Sequence, residues 1–221
     1  MANYEVDPQL LASRVPAGTE LDLYDDKCFV SLVGFMFRDT RVLGVPIPFH
    51  VNFEEVNLRF YIKRETGEET RRGVCFLKEI VPRWAIASVA RIAYGEPYER
   101  WRMGHHRSDT HVSYDWSRNG VTNRISVDQG RCLGIPDAGS HGEFIIEHYW
   151  GYTARGRGRV DEYKVEHPKW ELFSVENARI DVDFAATYGE EFGFLSTATP
   201  YSVILAIGSE VIVFKGSKLS L

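Results

Sequence analysis

The chain has 221 residues, 44% hydrophobic and 26% charged, with a formal net charge of -5. That length and balance suit one sizeable globular domain, and the acidic surplus argues against nucleic acid or an anionic membrane as partner. Met1–Asp7 lacks the regions of a signal peptide, no run of about 18 apolar residues is present to span a bilayer, and the scattered Cys28, Cys75 and Cys132 suit a reducing cytoplasm better than a disulfide framework or structural zinc.

Residues 8–18 read as an irregular leader closed by Pro16-Ala17-Gly18. Leu21, Leu23 and then Cys28–Phe37 predict two strands about a turn at Asp25-Asp26-Lys27, the second apolar on both faces, as a covered central strand is. Prolines 46 and 48 break residues 41–48 into a connection. The next stretch organises the rest. Read with period two, Val56, Leu58, Phe60 and Ile62 fall on one side, and Glu55, Asn57, Arg59 and Tyr61 on the other. A helix would scatter the four apolar side chains, so a strand is predicted. Ahead of it Phe49, Val51 and Phe53 are apolar at odd positions. Either a bulge at Glu54-Glu55 switches the faces, or one face runs from these residues into the polar set. Both readings bring a carboxylate beside an aromatic floor.

Lys63–Arg72, with Gly67, reads as an exposed hairpin tip, and Gly73–Ile80 as its return strand. Pro82, the stripe Ile86, Val89, Ala90 and Ala93, and Gly95 predict the principal helix over 82–94. Residues 103–109 read as a loop. Residues 110–128 form a second hairpin about Asn119-Gly120, followed by an irregular 128–139. Ser140-His141-Gly142-Glu143 matches a capping box ahead of a short helical segment. Tyr149–Ala154 and Arg159–Glu166 predict a third hairpin. Val203–Ala206 and Val211–Phe214 predict a closing one through Gly208-Ser209.

His105, His106 and His111 lack metal-ligand spacing and HExxH is absent, so no metal and no cofactor is expected. Arg155-Gly156-Arg157-Gly158-Arg159 has the look of an RNA-binding RGG segment, but its place between two strands favours a hairpin tip. The polar residues that a curled sheet would enclose are Glu55, Asn57, Arg59, Tyr61, Glu147, Tyr149 and His167. Glu55 and Arg59 lie about 13 Å apart along a strand, so each needs another partner or a ligand. Glu147 is the candidate partner of Arg59.

Five blocks in order resemble the YqjF-like family of uncharacterised bacterial proteins: Glu55-x-Asn57-x-Arg59-x-Tyr61, Gly73-Val74-x-Phe76, Tyr94-Gly95-Glu96-Pro97-Tyr98, Phe144-Ile145-Ile146-Glu147-x-Tyr149 and Val165-x-His167-Pro168-x-Trp170. They span residues 20–215 of a single 1–221 domain. That family is similar to acetoacetate decarboxylase. The resemblance implies a mainly β (α+β) fold, a curved antiparallel sheet closing into a barrel or cone around a pocket. It also implies a lysine pair after a helix-ending Gly-x-Pro, the first forming a Schiff base and the second depressing its pKa, with a glutamate on a neighbouring strand. Glu55 matches the glutamate, but Tyr98 and Glu99 stand in place of the lysines. Decarboxylase activity is therefore not expected. Lys78 departs from the small polar residue usual in the family and reads as an exposed strand-end lysine.

Three readings follow. The first is a pocket protein for a small organic acid or carbonyl compound, with Arg59 gripping a carboxylate and Tyr98 donating a hydrogen bond. The second is an enzyme with Glu55 as acid or base on a carbonyl substrate. The third is a protein whose polar interior is purely structural. A homo-oligomer is compatible with each.

Overall fold

The structure is a computed structural model that describes residues 1–39, 41–42, 45–46, 52–82, 97–156 and 158–219. Its strands are β1 (Ala2–Val6), β2 (Glu20–Leu21), β3 (Cys28–Phe37), β4 (Arg41–Val42), β5 (Val45–Pro46), β6 (Phe53–Glu65), β7 (Thr70–Val81), β8 (Tyr98–Arg100), β9 (Arg102–Arg107), β10 (His111–Arg118), β11 (Val121–Gly134), β12 (Trp150–Ala154), β13 (Val160–Glu166), β14 (Leu172–Asp181), β15 (Ser202–Val203), β16 (Leu205–Ala206), β17 (Ile212–Val213) and β18 (Ser217–Lys218). Two short helices, α1 (His141–Ile146) and α2 (Phe184–Tyr188), complete the described elements together with 3-10 turns. The predicted helix over 82–94 lies outside the described residues from residue 83 onward.

The larger sheet runs β15-β1-β3-β6-β7-β12-β13-β17, with β2 on β6, β8 on β7 and β18 on β13; the smaller runs β16-β14-β11-β10-β9. Among the described residues each path has two free ends, so the expected closure into a barrel is corrected to open sheets. The even face of β6 (Val56, Leu58, Phe60 and Ile62) is fully buried in a core shared with Trp116 of the smaller sheet and Phe184 of α2. On the odd face Tyr61 joins a second core with Phe29, Val74 and the α1 residues Phe144, Ile145 and Ile146, and Phe53 a third with Val81 and Tyr98. β6 is thus covered on both sides, which accounts for the burial of its polar row.

The predicted switch at Glu54-Glu55 does not occur: β6 pairs with β3 without interruption from Phe37↔Phe53 to Val30↔Phe60. Phe53 shares a face with Glu55, as the alternative reading held. The irregularity sits on the other neighbour. Leu58 faces Lys78 and Arg59 faces Phe76, leaving Leu77 as an extra residue in β7. That bulge sets Glu79, Phe76 and Val74 on the same side as Asn57, Arg59 and Tyr61.

Other expectations meet mixed outcomes. Asn119 and Gly120 both take positive φ, 51° and 84°, the mirror-image turn that matches strand twist. Ser140 Oγ accepts from Glu143 N at 3.2 Å, capping α1 as the sequence pattern implied. Residues 102–107 are a strand rather than a loop, and 128–134 continue β11 through register shifts. The closing hairpin is corrected: β15 pairs β1, β16 pairs β14 and β17 pairs β13. Glu20–Leu21 pairs with β6, not β3. The N-terminal segment, with no strand expected there, contributes a largely buried strand, β1, that lies between β15 and β3.

β12 joins β7 in parallel through Trp150↔Gly73 and Gly151↔Val74. A Cβ at Gly73 would lie 2.7 Å from the Trp150 carbonyl oxygen and 2.7 Å from the Tyr152 ring. Backbone cannot give way there as a flexible side chain would. Gly73→Ala should lower unfolding stability by about 1–3 kcal/mol, read from urea denaturation midpoints; an unchanged midpoint would contradict this packing.

Candidate functional site

Three adjacent strands set three polar residues side by side. Asn57 of β6 faces Glu79 of β7, and Glu79 faces Tyr98 of β8. Glu55 stands one step along β6 on the same face, and Arg59 one step the other way. Asn57 Nδ2 donates to Glu55 Oε1 at 2.9 Å, and the Tyr98 hydroxyl donates to Glu55 Oε2 at 3.1 Å. Tyr98 is also hydrogen-bonded to Glu79. Two carboxyl groups, 1% and 2% exposed, therefore converge on one phenol. Phe37 and Phe53 stack at 4.7 Å beside this group, in a small core with Val81 and Tyr98.

Burial pushes Glu55 up to about 7, against the opposing hydrogen bonds from Asn57 and Tyr98 and the charge of Arg59. Burial, then the neighbouring Glu55 and Glu79, hold Tyr98 well above the ordinary phenol value, so it stays a donor. Arg59 Nη2 donates to the Ile145 carbonyl at 3.2 Å, and its guanidinium lies 5.6 Å from the centre of the Tyr61 ring. Among the described residues its Nε is buried without a hydrogen-bond partner, as is Asn57 Oδ1. Among the described residues no carboxylate lies within ion-pair distance of Arg59.

Beyond Arg59 the polar strip continues inward. The Tyr61 hydroxyl and Ser31 Oγ are 2.6 Å apart, and Ser31 Oγ donates to Asn3 Oδ1 at 2.6 Å. Tyr61 packs against the buried imidazole of His148, ring centres 4.7 Å apart. His148 Nε2 lies 3.0 Å from Asp22 Oδ2, which also accepts from Arg72 Nε at 2.7 Å. Burial lowers His148 to about 4, overriding the Asp22 contact. Burial alone would raise Asp22, but the bonds from His148 and Arg72 hold it below the ordinary carboxylate value.

Five of the predicted residues are therefore neighbours: Glu55, Asn57, Arg59, Tyr61 and Tyr98. Three are elsewhere. Glu147 accepts from the Tyr149 hydroxyl rather than pairing with Arg59; the α1 end offers Arg59 its Ile145 carbonyl instead, one of the acceptors a helix leaves open at its C-terminus. Glu147 and Tyr149 line a separate open cleft of about 390 Å3 with Glu69, Thr70, Arg72, Trp150, Lys164 and Glu166. His167 stacks on Trp170 with ring centres 4.1 Å apart, in contact with Tyr149. Glu79, Asp22 and His148 were missed. The bulge hides Glu79 from simple alternation, Asp22 directly follows the two-residue strand β2, and His148 lies between α1 and β12.

β8 separates its two residues. Tyr98 turns to Glu55, while Glu99 Oε2 accepts from Trp101 at 3.0 Å and Arg118 at 2.8 Å, and Glu99 Oε1 lies 3.0 Å from Lys78 Nζ. Lys78, opposite Leu58, lies on the far side of β7 and donates to the Thr187 carbonyl at 2.6 Å. It is a bound, partly buried lysine rather than an exposed strand end. The other lysines with ion pairs, Lys27, Lys63, Lys164 and Lys169, meet Glu5, Glu20, Glu166 and Glu143.

Residues 1–210 match the model of DUF2071, described as an uncharacterized conserved protein. The chain belongs to that family. It is 25% identical over 186 residues to the uncharacterized protein YqjF of Bacillus subtilis, covering 82% of this chain and 74% of that one. In fold it is similar to acetoacetate decarboxylase from Legionella pneumophila, with a TM-score of 0.64, 12% identity, and coverage of 99% and 83% of the two chains. The enduracididine biosynthesis enzyme MppR, solved with pyruvate, gives a TM-score of 0.60 at 15% identity, covering 98% and 83%. An acetoacetate decarboxylase-like enzyme from Sphingomonas wittichii RW1 gives 0.59 at 16% identity, covering 99% and 89%. The expected likeness of fold is thus met. Among the described residues no helix is long and apolar enough to cross a membrane.

Proposed function

We propose that this DUF2071 protein binds a small organic acid on the odd face of β6, without Schiff-base chemistry. Arg59 takes the carboxylate, and the Glu55–Tyr98 end receives the ligand's uncharged polar group. The observation that carries this reading is Arg59 itself: a largely enclosed guanidinium whose Nε has no partner and which meets no carboxylate among the described residues. An enclosed cation without a counter-charge is costly, and a bound carboxylate removes that cost. The fold-relative solved with pyruvate supports the ligand class, and the engagement of Lys78 by Glu99 and the Thr187 carbonyl, on the far side of β7, speaks against that lysine as an imine-forming amine. A cytoplasmic setting fits the same reading.

A panel of small carboxylic acids and ketones tests this by thermal shift on the parent and Arg59→Ala. A ligand at 100 times its Kd stabilises by about 2.7 kcal/mol; the shift should appear in the parent and vanish in the folded variant. If no acid shifts the parent, the site is structural. Borohydride with acetoacetate should leave no adduct, and a trapped adduct would overturn the exclusion of amine chemistry.

Glu55 favours a second reading. A carboxyl that titrates at about 7 is matched to acid or base work near neutral pH. Under it, a ligand from the same panel turns over, and Glu55→Gln abolishes turnover while leaving binding in place.

A further inference from the structure

We propose that the ligand of this site is a hydroxycarboxylic acid, its hydroxyl donating to Asn57 Oδ1 while its carboxylate accepts from Arg59 Nε. This rests on the small-acid reading above and narrows it. The Asn57 amide is oriented by its own bond: Nδ2 donates to Glu55 Oε1 at 2.9 Å, which turns Oδ1 the other way. That oxygen belongs to a residue 2% exposed and has no partner among the described residues. It is an acceptor, and what it lacks is a donor.

The two unpartnered atoms are of opposite kinds. Arg59 Nε offers a hydrogen and Asn57 Oδ1 asks for one, from residues two apart on one face of one strand, about 7 Å along the backbone. A carboxylate answers the first demand only. A ketone oxygen beside Asn57 would bring lone pairs against a lone pair and leave the amide oxygen unsatisfied. A hydroxyl answers the second: it donates to Asn57 Oδ1, while the Tyr98 phenol keeps its hydrogen on Glu55 Oε2. A site built to bond a hydroxyl rejects the analogue lacking it, because its polar group is left buried and unpaired.

Matched pairs read this directly. Calorimetric Kd values would be measured for racemic 3-hydroxybutyrate against acetoacetate and for lactate against pyruvate, on the parent, Asn57→Leu and Arg59→Ala. In the parent at least one hydroxy acid should bind about tenfold or more tightly than its keto partner, roughly 1.4 kcal/mol. Asn57→Leu should bring that ratio close to one, and Arg59→Ala should weaken both members alike. Equal affinities, or a keto acid bound more tightly, overturn the hydroxyl preference and leave the small-acid site standing. Binding of neither class to the parent, or binding indifferent to Arg59→Ala, overturns the small-acid site and the preference with it. The parent comparison alone decides if Asn57→Leu does not fold.

Discussion

Glu55→Gln should unfold at a clearly higher temperature than the parent at pH 8 and at nearly the same temperature near pH 4.5. The folded chain holds the Glu55 proton up to about 7, whereas an ordinary glutamate releases it near 4.5. The folded state therefore binds more protons across that window, and the stabilisation present below it is lost as pH rises through about 7. Glutamine imitates the protonated acid at every pH, and a displacement of this size is worth on the order of 3 kcal/mol.

His148 works in the opposite sense. Its folded value of about 4 lies below the ordinary 6.5, so the unfolded chain binds more protons and stability falls as pH drops through that range. In the parent the two slopes oppose each other between about pH 4.5 and 6.5. Glu55→Gln should therefore expose a steeper acid sensitivity, and His148→Gln, which keeps a donor for Asp22, should expose the reverse slope. Denaturation midpoints from pH 4 to 8 measure both. Parallel profiles for the parent and Glu55→Gln would show that Glu55 is ionised in the folded protein at neutral pH.

Trp116→Ala should cost about 3–5 kcal/mol, the usual range for deleting a fully buried large aromatic side chain. Trp116 is 0% exposed and belongs to the core that holds Val56, Leu58 and Phe60. That core is on the side of β6 away from Glu55 and Arg59. The variant should therefore lose stability while its folded fraction keeps the parent's ligand Kd at low temperature. A changed Kd at full folding would mean that the two faces of β6 are coupled.

The sequence carried the site better than its surroundings. Period two alone separated Glu55, Asn57, Arg59 and Tyr61 from the apolar half of β6, because strand geometry acts locally. The family resemblance added Tyr98, which period two has no means of joining to β6. Burial of the polar row was open until packing was known: the pattern of a solvated face and that of a second, smaller core are the same on one strand. Glu79 was out of reach because a single extra residue, Leu77, shifts β7 by one position. The terminal strands were misassigned for a related reason. β15, β16 and β17 are two residues each and take their partners from three distant strands, so their neighbours in sequence say nothing about their pairing.

The convergence of Glu55 and Glu79 on Tyr98 also bears on what a lysine in place of that phenol would do. Placing a lysine at position 98 would set an ammonium between two acids. They would favour its charged form, the reverse of what a nucleophilic amine requires. A nucleophilic amine at this place is then not one substitution away: both acidic neighbours would have to change with residue 98. The acids around residue 98, as much as its phenol, set what chemistry that position can carry.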